Sequence, residues 1–207
     1  MARHGCLIVI VLQLMSCTSV EDVGVYWDKG VIDPVLEGSW KKIGLPGIEQ
    51  YGLDIDDIPG ADQLVFIKDG TSYAMRMVNP IEPDLPDHVA AQRKKDNATS
   101  RPVRTLRIGH GTFMMVIASE SSRTGMLQRY EIKGDVLEEH NIDNGAAVDF
   151  LEAKYPNAGN IGRNRGEGRY VVIRTFDDEV LRILSEMAGV PSYWSLACQF
   201  RRMAPGP

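Results

Sequence analysis

The sequence predicts an α+β fold: mainly an antiparallel β-sheet curled towards a small barrel, with two helices in the C-terminal half. Three observations carry this. Short apolar runs meet at Asp69-Gly70, at Gly109-His110-Gly111 and at Gly134-Asp135. Glycine turns of this kind between apolar runs mark hairpins, because the turn needs positive φ. The arms alternate, as where Tyr73, Met75 and Met77 interleave with Ala74, Arg76 and Val78, the period of a strand with two unlike faces. After residue 142 the period becomes helical, at Gly145–Tyr155 and again beyond Asp177.

The chain opens on Arg3 and His4, then an unbroken apolar run from Cys6 to Leu12, closed by Leu14-Met15-Ser16-Cys17. A basic start, an apolar core of about 7 to 15 residues and small residues before a cut make a secretory signal. The run is too short for a membrane-spanning helix, which needs about 20 apolar residues. The stretch resembles a bacterial lipoprotein signal. The resemblance implies a signal peptide over 1–16, a lipobox at Leu14-Met15-Ser16 and lipidation of Cys17 in the cell envelope, facing the periplasm. Two or more acyl chains would hold the protein stably, where one holds it only marginally. Thr18 stands after the cysteine where enteric-type retention at the inner membrane has Asp, which leans the address to the outer membrane. Residues 17–33 are then expected to be a lipidated N-terminus and tether.

Next comes Asp33-Pro34-Val35-Leu36-Glu37-Gly38-Ser39-Trp40, a Pro-initiated turn leading into Gly-x-Trp at a strand start. This resembles the first motif of lipocalins and related small barrels. In that family the Trp closes one end of the barrel and packs near an Arg from the last strand. The resemblance implies a single β-rich, lipocalin-like domain over 34–190, with Trp40 structural and Arg174, on the strand Tyr170–Arg174, as its candidate partner.

Within the domain, Asp54, Asp56 and Asp57 make a solvated acidic loop without the ligand spacing of a calcium site. Residues 79–102 form a Pro-rich insertion holding a short helix at His88–Lys95 and the basic Arg93-Lys94-Lys95, read as a solvated face. Phe113–Ala118 is apolar on both parities, as in a strand covered on both sides. Asp143-Asn144 caps one helix, and Thr175 or Asp177 the other, which presents Val180, Leu181, Leu184, Met187 and Ala188 as a core stripe ending at Gly189 and Pro191. Residues 191–207 are read as a C-terminal tail that docks on the domain or touches a partner.

Composition excludes several functions. The formal charge of −5 argues against a nucleic-acid partner, which wants a basic face. Of three cysteines, Cys6 leaves with the signal and Cys17 is spent on lipid, so Cys198 has no intrachain partner and is expected to be buried. The sequence holds no Gly-x-Ser-x-Gly elbow and no His-Glu-x-x-His. His88, His110 and His140 are not at ligand spacing, and Gly159–Gly168 lacks the Walker Lys-Ser/Thr pair. The expectation is a protein without catalytic residues, cofactor or metal. It would act through a protein partner in the envelope, as an assembly or structural subunit. The alternative is a lipocalin-like carrier of a small apolar ligand.

Overall fold

The computed structural model describes residues 18–44, 61–118, 121, 123–164 and 170–204. Cys17 and the signal before it, the acidic loop with Asp54, Asp56 and Asp57, and the end of the Gly159–Gly168 stretch lie outside them. Strand β1 (Thr18–Asp22) and the one-turn helix α1 (Tyr26–Lys29) lead to a 3-10 turn at Pro34–Leu36. Strands β2 (Gly38–Gly44), β3 (Gln63–Asp69) and β4 (Ser72–Val78) follow, then helix α2 (Asp87–Ala98). Next come β5 (Ser100–Ile108), β6 (Gly111–Ile117), β7 (Gly125–Lys133) and β8 (Val136–Ile142). Helix α3 (Asn144–Lys154), β9 (Ile161–Asn164), β10 (Tyr170–Thr175) and helix α4 (Asp178–Ala188) precede a 3-10 turn at Pro191–Tyr193 and the last strand, β11 (Trp194–Arg202). The fold is α+β and mostly antiparallel sheet.

The strands pair in the order β6-β5-β4-β3-β2-β11-β8-β7-β1-β10-β9, and β6 also pairs with β7. Eight of them, β2 to β8 and β11, therefore close into a ring. It is not a regular barrel. Along one side of β7, Arg129 to Lys133 pair with β8, while Gly125 to Leu127 pair with β1. Strand β8 leaves β7 at that point and β1 enters, carrying β10 in parallel and β9 beyond it. The ring thus opens into a three-strand wing.

Local chemistry explains the hairpins. Gly70, Gly109 and Gly134 each sit at positive φ, at +58°, +57° and +66°, in the β3–β4, β5–β6 and β7–β8 turns. A side chain at Gly109 would also strike Ser185, so this turn must lie against α4. Asp143 accepts a hydrogen bond from the Ala146 amide and Asp177 from the Val180 amide, so each caps its helix.

Two sequence expectations give way. Residues 18–33 are no tether: β1 lies inside the sheet between β7 and β10, with Val20 buried. The stretch after it crosses one end of the ring, where Val31 bridges Thr105 and Leu36 is wholly buried. The tail is no tail either. Strand β11 pairs with β2 on one side and β8 on the other, and its alternation is hidden by register shifts at Leu196/Cys198 and Gln199/Phe200. In the Pro-rich insertion, α2 covers the expected helix and buries none of its residues, and Ser100 to Pro102 already belong to β5.

Two cores result. The ring interior holds Leu36, Trp40, Leu64, Phe66, Tyr73, Met75, Val103, Met114, Val116, Tyr130, Leu137, Cys198 and Phe200. The second core lies between the sheet and its helices, with Phe113, Met115 and Ile117 of β6 against Val148 and Leu151 of α3 and Val180, Ile183, Leu184 and Met187 of α4. Strand β6 serves both, which is why it is apolar on both parities.

Candidate functional site

The ring has a closed end built on Trp40. This side chain is wholly buried, and its Nε1–H donates to the Leu36 carbonyl at 2.8 Å. The Arg202 guanidinium lies over the ring, 4.3 Å from its centroid, and donates to the carbonyls of Glu37 and Val35. The register places Arg202 opposite Trp40 across β11 and β2. Arg174 is not the partner of Trp40: it stands on β10, in the wing, and donates to the Gly159 carbonyl at 3.0 Å. The last strand of the ring is β11, so the arginine that stands against Trp40 is Arg202, in the segment read as a tail.

Beside this closure the Tyr130 hydroxyl donates to Asp33 at 2.6 Å, and burial with that carboxylate pushes the phenol far above its ordinary range. The Tyr73 hydroxyl is buried with no hydrogen-bond partner among the described residues.

Elsewhere on the inner face the ring carries polar groups. Glu139 accepts from Gln128 Nε2 at 3.0 Å, and burial raises its carboxyl to about 7. Cys198 pairs with Glu139 across the ladder. Burial, and then Glu139, push its thiol up to about 12, so the thiol is buried as expected and inert at neutral pH. Lys42 is buried with Asp62 at 3.0 Å.

The outer face of the β7–β8–β11 ladder is a network of charges. Glu131 stands directly opposite Glu138, and His140 opposite Arg129. Arg129 meets Glu131 Oε1 at 2.5 Å, and Lys133 meets Glu138 Oε2 at 2.7 Å and Glu131 Oε2 at 3.6 Å. Gln199 donates to Glu138 Oε1 at 3.0 Å. Lys133 holds the Glu138 carboxyl below its usual range, and burial lowers the pKa of the His140 imidazole.

This geometry limits the chemistry. Cys198 points inward and His140, one ladder position on, belongs to the outer network, so they make no thiolate–imidazole pair. His88 on α2 and His110 in the β5–β6 turn are both exposed and lie on separate elements. Reading the residues alone missed Arg202, Glu139 and the ladder network. A usable signal was the run Glu138-Glu139-His140 inside a strand, since charged residues in a strand interior need partners.

Comparisons with family models, with curated proteins and with solved structures return no match. Among the described residues no helix is long and apolar enough to cross a membrane.

Proposed function

We propose that the chain is a lipid-anchored, non-catalytic envelope protein, with its acylated Cys17 in the outer membrane. It acts through protein–protein interaction, as an assembly or structural subunit. The observation that carries this reading is the absence of slack after position 17. Thr18 is 4% exposed and already hydrogen-bonded into the sheet opposite Leu127. An acyl chain on Cys17 would therefore hold the sheet itself at the membrane, in one orientation, as suits a subunit in a fixed assembly better than a carrier that must turn and release. The ring interior also speaks for a partner over an apolar cargo, since the large side chains Trp40, Phe66, Tyr73, Met114 and Leu137 are buried together in it.

The test is the intact mass of protein from native membranes beside a Cys17→Ala variant, followed by cross-linking in intact envelopes. The expected result is an N-terminus at Cys17 with acyl mass, lost in the variant, and one stoichiometric cross-linked partner. A lipid-free N-terminus elsewhere would overturn the anchor, and the lack of any stoichiometric partner would overturn the subunit role.

A second reading, a lipocalin-like carrier of a small apolar ligand, is favoured by the Trp40–Arg202 closure. Titration with an apolar fluorescent probe separates the two. Saturable one-to-one binding, weakened by Met75→Glu inside the ring, supports the carrier, and its lack removes it.

A further inference from the structure

We propose that the outer face of the β7–β8 ladder is a site for a divalent transition-metal ion of the zinc type, held by Glu131, Glu138 and His140. One ligand atom from each of the three lies within 4.8 Å of the others. The two carboxylates are prepared in the same way. Arg129 holds Oε1 of Glu131 and Gln199 holds Oε1 of Glu138, and each leaves its Oε2 turned to a common centre. Such outer partners fix ligand orientation in metal sites.

His140 supplies the independent observation. Its Nε2 has no exposed surface and, among the described residues, no hydrogen-bond partner, and it lies 3.7 Å from Glu138 Oε2. Buried polar nitrogens without a partner are rare in folded proteins. Here the atom stands beside the Glu138 carboxylate, with Glu131 in the same cluster, an arrangement that a metal ion satisfies. One imidazole with two carboxylates suits zinc or cobalt, whereas calcium and magnesium take oxygen ligands throughout.

The centre now holds the Lys133 ammonium, which bridges both Oε2 atoms. That side chain is 61% exposed and free to swing into solvent. It marks the place a cation takes, and it competes for it. Nothing in this site depends on what Cys17 carries.

The test is titration calorimetry of the full chain with zinc chloride, followed by the visible spectrum of the cobalt-loaded protein. We expect one-to-one binding that tightens at least tenfold in Lys133→Ala and weakens at least tenfold in His140→Gln and in Glu131→Gln. His88→Gln and His110→Gln should bind as the parent does. The cobalt spectrum should show no thiolate charge-transfer band, which sets the site apart from the cysteines. Circular dichroism of each variant establishes that it is folded; should His140→Gln not fold, Glu131→Gln and Lys133→Ala decide. Lys133→Ala binding no tighter than the parent would overturn the site. So would a thiolate band, or unchanged affinity in folded His140→Gln, either of which makes the bound zinc adventitious.

Discussion

The ring interior and the layer beneath the helices are both buried, yet they are built from different residues. The layer is mostly aliphatic, with Val20, Ile117, Ile161, Ile173, Val180, Ile183 and Leu184 at its heart. The ring is richer in aromatics and threaded with polar groups: Trp40, Phe66, Tyr73 and Tyr130 share it with Asp33, Glu139 and Gln128. A helix face laid on a sheet makes a dry slab that branched side chains fill at ordinary packing density. A closed ring has a wider centre and two ends. Large rings are needed to fill the centre, and the groups that fasten the ends must find hydrogen bonds. The slab should therefore depend on volume, and the ring on volume and on pairing together.

The largest expected effect lies in the ring. Trp40→Ala should cost about 3–5 kcal/mol in urea unfolding, the range for emptying a large aromatic site, and it also removes the ring over which Arg202 lies. A loss no larger than that of a conservative change in the slab would remove the distinction between the two cores.

Next is the pH dependence carried by Glu139. Its folded pKa is raised to about 7, from 4.5. The folded state therefore binds the proton more tightly than the unfolded chain does. This contribution is fully present below pH 4.5 and is lost as the pH rises through 7, a swing on the order of 3 kcal/mol. The lowered carboxyls of Asp22, Glu138 and Glu186 act in the opposite sense, losing stability as the pH falls. The informative quantity is thus the difference between the parent and Glu139→Gln. The variant should gain on the parent as the pH goes from 5 to 8 in urea melts, and parallel profiles would show that Glu139 is not raised.

Smaller effects sharpen the contrast. Arg202→Ala should cost about 1–2 kcal/mol through the lost ring contact and carbonyl bonds. Arg174→Ala in the wing should stay within about 0.5 kcal/mol. Equal costs for the two arginines would undo the assignment of the closure to Arg202. In the slab, Ile183→Val removes one methylene from a wholly buried site. It should cost about 0.5–1.5 kcal/mol and leave the pH profile unchanged.

The features legible in the residues are those whose cause lies within a few positions. The hairpin turns at Gly70, Gly109 and Gly134 follow from positive φ, and the ends of α3 and α4 follow from Asp143 and Asp177. The double burial of β6 follows from an apolar run on both parities, and the burial of Cys198 from the lack of a partner thiol. The closure was legible by half. Gly38-Ser39-Trp40 marked the tryptophan, but its arginine was sought on the wrong strand, because a bulged β11 shows no clean alternation.

What the sequence determines by itself is therefore local: which segments turn, which alternate, which helices are capped and which side chains want burial. Tertiary structure alone decides that β1 enters the sheet, that β11 closes the ring and that Arg202 covers Trp40. Each of these rests on pairing between strands distant along the chain. The register of such a pair is chosen by the closing of the ring, which no short stretch encodes.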